Sequence, residues 1–503
     1  MKKKLLLPLF LANAFLTNAQ NIGIGTDSPH PSALLEIYSD SKGILVPSMR
    51  SGARNLISSP ATGLLVFDKD TKSFWFWTGI VWQNISPLNS SWALPGNSGT
   101  SASTHFIGTT DNNSLMFKVN NQKAGYIGIE ANDGNAFWGY QSGSNNIGYS
   151  NVAIGIKALF NNTVSSNLVA IGDSALFNNT GQAKENTAIG SKSMFSNTTG
   201  YYNTAVGYRA LYSNTIGRFN TAIGFQALYN NTIMDDNTAI GYQVLYNNTI
   251  GYSNTANGGS ALFSNTEGFY NTAIGASALV NNTTGAHNTA NGLSGLFRNT
   301  TGNFNTTLGS LADVSIGSLD YATAIGFGAL VNASNKVRIG GTTVTVIEGQ
   351  VPFSSPSDGR YKFNIRNDVS GLDFIMRLRP ITYQFDVKRF DENLRSSLSG
   401  KENYNVIEAS YKEASAIRRT GFIAQEVEKA ASETGYEFSG LIKPKSEKEY
   451  YGLSYESFVG PLVKGMQEQQ LEITAQNKKI EDLEKKLAEM QKQMEELTRL
   501  IHK

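Results

Sequence analysis

The sequence predicts a mainly β chain: a long β-solenoid, then a small α+β domain and a C-terminal coiled coil. Three observations carry that prediction. The phrase Asn-Thr-Ala-Ile-Gly recurs at a nearly constant interval through the middle of the chain, charged residues return abruptly after about residue 350, and an apolar 3,4 spacing runs from Ile473 to Ile501.

The chain has 503 residues, 40% of them apolar and only 16% charged, which is low for ordinary globular surface. With 42 basic and 40 acidic side chains the formal charge is +2, so no strong field exists to recruit nucleic acid or an anionic membrane. No nucleic-acid partner is expected.

Residues 1–19 read as a signal peptide. Three lysines precede an apolar run from Leu5 to Leu16, and Thr17-Asn18-Ala19 supplies the small residues of a cleavage site, after Ala19 or Gln20. The run is too short to anchor in a bilayer, and no later stretch is long and apolar enough to span one, so a secreted or cell-surface protein with no transmembrane segment is expected. The chain contains no cysteine, which excludes disulfides, thiolate metal sites and a lipidated cysteine. His30, His105, His287 and His502 are scattered, so neither a metal nor another cofactor is expected.

Residues 20–145 form a β-rich region. Short alternating runs between Gly, Asp and Pro turns predict short strands. Phe74, Trp75, Phe76, Trp77 and Trp82 lie at strand spacing; such a group is more often core or chain-to-chain contact than a sugar platform. The phrases of this region, with WALPGNSGT at 92 and FIGTTDNNSLMFKVNNQKAGYI at 106, resemble the front ends of tail-fibre-like secreted bacterial proteins.

Residues 146–349 hold the repeats. Eleven units close on Gly155, Gly172, Gly190, Gly207, Gly224, Gly241, Gly258, Gly275, Gly292, Gly309 and Gly326; nine of the intervals are 17 residues and one is 18. Such regularity predicts a stacked array with one coil per repeat. A 17-residue unit with two turn signals has room for two short strands and not for a helix pair. Stacking then sets each Ile on the next Ile and each Leu on the next Leu, with Asn and Gly at corners taking left-handed backbone. Only 13 of the 180 residues from 151 to 330 are charged. The Asn-Thr rows are expected to serve turns and backbone groups; an exposed Tyr and Asn face contacting a glycan is the alternative.

The repeated phrase resembles the head repeats of trimeric autotransporter adhesins of the YadA type, over about residues 145–335. That resemblance implies a left-handed parallel β-roll in a trimer. No pattern for a C-terminal membrane-anchoring barrel follows, so the expectation is an adhesin-like fibre and not an autotransporter.

In residues 350–465 the pattern becomes α+β: GLDFIMRLRPITYQF predicts a short helix stopped before Pro380 and then a strand, and GFIAQEVEKA at 421–430 predicts another helix. Residues 466–503 predict a coiled coil. Ile473, Ile480, Leu483, Leu487, Met490, Met494, Leu497 and Ile501 fill the seam with Gln476, and 15 of the last 38 residues are charged.

At the entrance to this part stands SPSDGRYKFNI, residues 355–365, with Ser357 and Lys362 five apart. Taken alone, the pair reads as a linker turn beside a surface lysine. The blocks that follow, LRPITYQF, GFIAQEVEKA and YGLSYESFVGPLVKGMQEQQ, resemble in order the endosialidase-type intramolecular chaperone, the S74 peptidase family, over about residues 355–475. In that family the domain trimerises a β-rich fibre and then cuts itself away. The resemblance implies Ser357 as nucleophile, Lys362 as its base and Pro356–Ser357 as the bond cut. Asp358 is expected to be a turn or cap residue.

The expected function is a secreted homotrimeric fibre or adhesin-like protein whose C-terminal domain directs assembly and cleaves the chain once in cis, without turnover. A cell-surface glycan or receptor is its expected outside partner. The alternative is a polysaccharide-binding or polysaccharide-degrading tailspike-like enzyme, which needs paired carboxylates; the repeats offer only Asp173, Glu185, Asp235, Asp236 and Glu267. A phage fibre is a third reading, disfavoured by the signal peptide.

Overall fold

A computed structural model describes residues 21–85, 100–101, 103, 106–129, 133–396, 406–446 and 449–502. The expected signal peptide and the phrase WALPGNSG lie outside them. The chain divides into two compact units, residues 1–108 and 109–503.

The first unit holds a parallel strand pair, Ile22–Ile24 with Leu35–Ile37, and a four-stranded sheet. In that sheet Ser48–Met49 runs parallel to Leu65–Asp68, and Ser73–Trp77 and Trp82–Asn84 follow antiparallel. The turn between the second and third strands is fixed by Asp68, whose carboxylate is buried and accepts from the N–H of Asp70 and Thr71. Arg54 pairs with it at 2.9 Å and lies 3.7 Å over the Trp75 ring. Burial pushes the Asp68 pKa up, yet hydrogen bonds from Ser51 and the turn N–H groups, with the Arg54 charge, hold it below the ordinary value. Trp77 and Trp82 meet edge to face at 5.6 Å, so the aromatic group is largely tied into the sheet.

The second unit is dominated by a 15-stranded sheet. A hairpin, Leu115–Val119 and Gln122–Ile127, runs antiparallel onto Ala136–Trp138; from there each pairing is parallel, ending at Val337–Ile339. The hairpin covers the edge that would otherwise accept another coil. Each coil contributes one three-residue strand such as Thr221–Ile223, in a register that sets Ala222 on Ala239 and Ile223 on Ile240. The stacking of like on like is therefore as the sequence predicts.

The two rows differ in what they face. Ala205, Ala222 and Ala239 point inward and meet a row of fully buried leucines, among them Leu211, Leu228 and Leu245. The isoleucines stack on the outer face, where Ile154, Ile189, Ile223, Ile240 and Ile274 are 37% to 43% exposed.

Two expectations need correction. Most coils have one strand, not two: the stretch after each closing glycine is a turn, and a second strand pair forms only at Asp313–Val314 with Leu330–Val331. Alternating left-handed residues, Arg209 at φ 52° and Leu211 at φ 53°, break the extended conformation a strand requires. Their N–H groups still bond between coils, Leu211 to the Ala227 carbonyl at 2.9 Å and Arg209 to that of Ser191 at 3.0 Å. Those bonds offset a left-handed cost of about 1–2 kcal/mol per residue.

The second correction concerns asparagine: Asn167 at φ 60° and Asn335 at φ 56° do take left-handed corners, but the asparagines that recur from coil to coil, such as Asn203, Asn214, Asn220 and Asn231, lie fully buried in two ladders. In one, the Asn214 amide donates to Asn197 Oδ1 at 2.8 Å and to the Gly217 carbonyl at 3.1 Å. In the other, Asn203 Oδ1 accepts from the backbone N–H of Asn220 at 2.9 Å, one coil on. Glycine is required where coils touch: a Cβ on Gly224, at φ 132°, would lie 2.1 Å from the Gly241 carbonyl oxygen.

After the last coil comes the α+β domain. As predicted, the helix Leu372–Met376 ends before Pro380 and a strand, Ile381–Gln384, follows; it pairs antiparallel with Arg418–Gly421. The predicted second helix is Ala424–Thr434, closed by Gly435 at φ 64°. Phe374, Val427, Ala430, Ala431, Phe438 and Phe458 form the core. The final helix, Val459–Ile501, packs its first turns here through buried Pro461 and Gly465, and Glu468 accepts the N–H of Leu372 at 2.7 Å, capping the short helix. Its seam from Ile473 to Ile501 is 41% to 73% exposed. The domain also docks on the solenoid end: Arg395 donates to the Gly328 carbonyl at 2.7 Å, Thr342 to Asp391 at 2.7 Å and Arg338 to the Tyr450 hydroxyl at 3.3 Å. No helix among the described residues is long and apolar enough to cross a membrane.

Candidate functional site

Ser357 and Lys362 sit where the chain passes from solenoid to α+β domain. Residues 352–358 are irregular, and one 3-10 turn, Gly359–Tyr361, follows. Asp358 creates the turn: its carboxylate accepts the N–H of Arg360 at 2.9 Å, its carbonyl accepts that of Tyr361 at 3.1 Å, and the Gly359 carbonyl accepts that of Lys362 at 3.2 Å. This is the cap role the sequence suggests for an aspartate at that position.

The Arg360 guanidinium closes the turn from outside, its Nε reaching both Asp358 oxygens at 2.9 and 3.1 Å. Hydrogen bonding from Arg360 holds the Asp358 carboxyl below the usual range, and the same pair raises Arg360. Folding back over the turn, Lys362 donates its Nζ to Ser357 Oγ at 2.7 Å. The structure thus brings the two sequence-predicted residues together, with Pro356–Ser357 directly adjoining. That distance suits proton transfer between hydroxyl and amine.

In one chain the site lies in the open. Pro356, Ser357, Asp358 and Lys362 are all exposed, as are the apolar side chains around them: Phe353 is 82%, Tyr361 80% and Phe363 91% exposed. No donor among the described residues reaches the Pro356 carbonyl oxygen. The main concavity of the small domain, of about 640 Å³ and lined by Tyr383, Phe385, Phe390, Phe422, Tyr450 and Tyr455 among others, does not include the pair. Chemically this is a nucleophile and an amine on a preformed turn, without a substrate cleft of their own.

Elsewhere the repeats present aromatic rows. Phe160, Phe177, Phe195, Tyr212, Tyr229, Tyr246 and Phe263 stack at 5.1–5.4 Å with planes within 9°. Each ring covers its neighbour's face, leaving edges outward, whereas a sugar platform offers a ring face. Asp235, one of the scattered acids, is held by Arg218 at 2.7 Å. Among the described residues no group of three His, Cys, Asp or Glu could hold a metal ion. The burial of the asparagine ladders is what sequence reasoning missed, and its signal was the recurrence of Asn at two fixed offsets from the closing glycine in most repeats, broken at Leu168, Ile316, Ala322 and Ala333.

Two family models match the chain. The phage tail like trimerisation region matches residues 23–103, nearly all of the first compact unit that is described. The chaperone of endosialidase, the S74 peptidase family, matches residues 357–436 and begins at Ser357 itself. The repeats lie between the two matches and outside both. No curated protein matches the chain.

Proposed function

We propose that the chain is a secreted, homotrimeric, adhesin-like fibre whose C-terminal domain assembles three copies and then cuts each chain once between Pro356 and Ser357. The observation that carries this is the 2.7 Å hydrogen bond between Lys362 Nζ and Ser357 Oγ at the first residue of the endosialidase chaperone match. The trimerisation match in the first unit and the bare seam of the final helix support three chains. The repeat phrase and the stacked parallel coils support an adhesin-like head. Secretion rests on residues 1–19.

The cut runs in two steps. Ser357 Oγ attacks the Pro356 carbonyl carbon while its proton passes to the Lys362 amine; the Pro356–Ser357 C–N bond then breaks, and the leaving nitrogen takes a proton. An ester between Pro356 and Ser357 Oγ remains. Water hydrolyses it, giving a Pro356 carboxylate and a new α-amine on Ser357. The amine must be neutral to accept the proton, and donors must meet the developing oxyanion. No donor among the described residues meets the Pro356 carbonyl oxygen in the open single-chain site, and burial by neighbouring copies disfavours a charged amine. Assembly is therefore the step that licenses the cut.

The test is the intact mass of the purified chain beside Ser357→Ala and Lys362→Ala. Only the unaltered chain is expected to yield a 147-residue fragment beginning at Ser357. Three intact chains that still form trimers would make the domain a retained clamp and Ser357 part of a turn.

A further inference from the structure

We propose that the outer isoleucine row of the solenoid is the surface on which three copies of this chain meet, and that Asn257 and Asn291 are the layers that fix their register. The inference rests on the homotrimer proposed above. The row places one side chain per coil immediately before the closing glycine, and Ile223, Ile240, Ile274 and Leu308 in it are 37% to 52% exposed. A ridge that is apolar at all but two of its eleven positions marks an interaction surface, and the row two residues on, with Tyr208, Phe225 and Tyr242 40% to 55% exposed, extends it. Ten intervals at ~4.8 Å and three rows spanning ~13 Å, typified by the half-buried Thr221 and the exposed Ile223 and Phe225, give on the order of 600 Å² per chain, somewhat below the ~800 Å² per partner of a stable interface.

Two positions interrupt the ridge. Asn257 and Asn291 are exposed and keep the strand register of their neighbours, Asn257 lying between Ile240 and Ile274, and Asn291 between Ile274 and Leu308. The coil geometry is therefore unchanged, and only what the face offers differs. An amide is both donor and acceptor, so identical side chains from parallel copies satisfy one another at one level. Isoleucine cannot, and a polar layer in an apolar seam specifies alignment for that reason.

Near-identical coils make alignment a real problem, because a slip of one coil preserves almost every other contact. Such a slip sets both asparagines against aliphatic side chains and leaves their amides unpaired. A slip of two coils matches Asn257 of one chain with Asn291 of the next but sets the other asparagine of each chain against isoleucine, Ile325 or Ile223. Only the in-register trimer satisfies both.

The cysteine-free background makes the test direct. In the full chain, Ile223→Cys and Asn257→Cys are expected to give disulfide- or short bismaleimide-linked chains within trimers identified by light scattering. Trimers that link at neither position overturn the proposal while leaving the homotrimer standing; monomers overturn the homotrimer itself. For register, Ile223→Cys and Ile240→Cys chains are co-expressed. Links between unlike positions are expected to be absent with both asparagines present and to reach at least a tenth of all links in the Asn257→Ile, Asn291→Ile background. Unlike links that stay absent there overturn the register role, provided the doubly substituted chain retains its trimer mass and melting profile.

Discussion

Asn214 binds three coils at once. It donates to Asn197 below and to the Gly217 carbonyl of its own coil, and it accepts from Asn231 above at 3.3 Å. Replacing it by alanine leaves buried polar groups on two neighbours unpaired, so Asn214→Ala is expected to destabilise the solenoid by about 1–3 kcal/mol, read as a lowered denaturation midpoint. Asp358→Ala tests a different residue role. It releases the turn that carries Lys362 but removes neither reacting group, so processing is expected to slow by about 10- to 100-fold without stopping, measured as the rate at which the fragment appears. The Ser357–Lys362 pair was legible because several family blocks follow it in order. The inward direction of the asparagines was not: Asn-Thr phrases describe surface turns equally well, and only the closing of hydrogen bonds between coils decides which side faces in.

The final helix carries two duties along one element. Its first turns belong to the domain core through Pro461, Gly465 and the Glu468 cap, and the rest extends with its apolar seam uncovered. Leu483→Glu with Leu487→Glu puts six carboxylates into two adjacent layers of a trimeric seam. Sedimentation is expected to show loss of trimers while the core around Phe374 stays folded. The seam was legible from its 3.5-residue period alone. The helix start at Val459 was less so, because Gly460-Pro461 reads as a breaker; proline in the first turn forfeits no helical hydrogen bond, since that N–H has no partner there. Similar reasoning explains the missing second strand of each coil. A 17-residue unit has the length for it, but nothing in Arg-Ala-Leu announces left-handed backbone at Arg209 and Leu211.

For the whole molecule, severing the assembling domain from the fibre, as proposed, is expected to make folding one-way. Trimers processed at Pro356–Ser357, unfolded in guanidinium and diluted, are expected not to regain trimer mass, whereas uncut Ser357→Ala trimers recover it, as followed by light scattering. Equal recovery would show that the repeats find their alignment unaided. Fold class and order of parts were readable across the chain because periodicity and composition change sharply at their boundaries. The contact of the small domain with the last coil was not, since Arg338, Thr342, Asp391, Arg395 and Tyr450 have no sequence pattern in common. That contact separates two events, breaking the chain and releasing the domain. The hydrogen bonds from Arg395 to Gly328, Thr342 to Asp391 and Arg338 to Tyr450 do not involve the Pro356–Ser357 peptide and are expected to outlast the proposed cut. If the chain is cut as proposed, scission is not shedding: a processed molecule is expected to run as two pieces on a denaturing gel and as one particle on a native column, until the cap lets go on its own timescale.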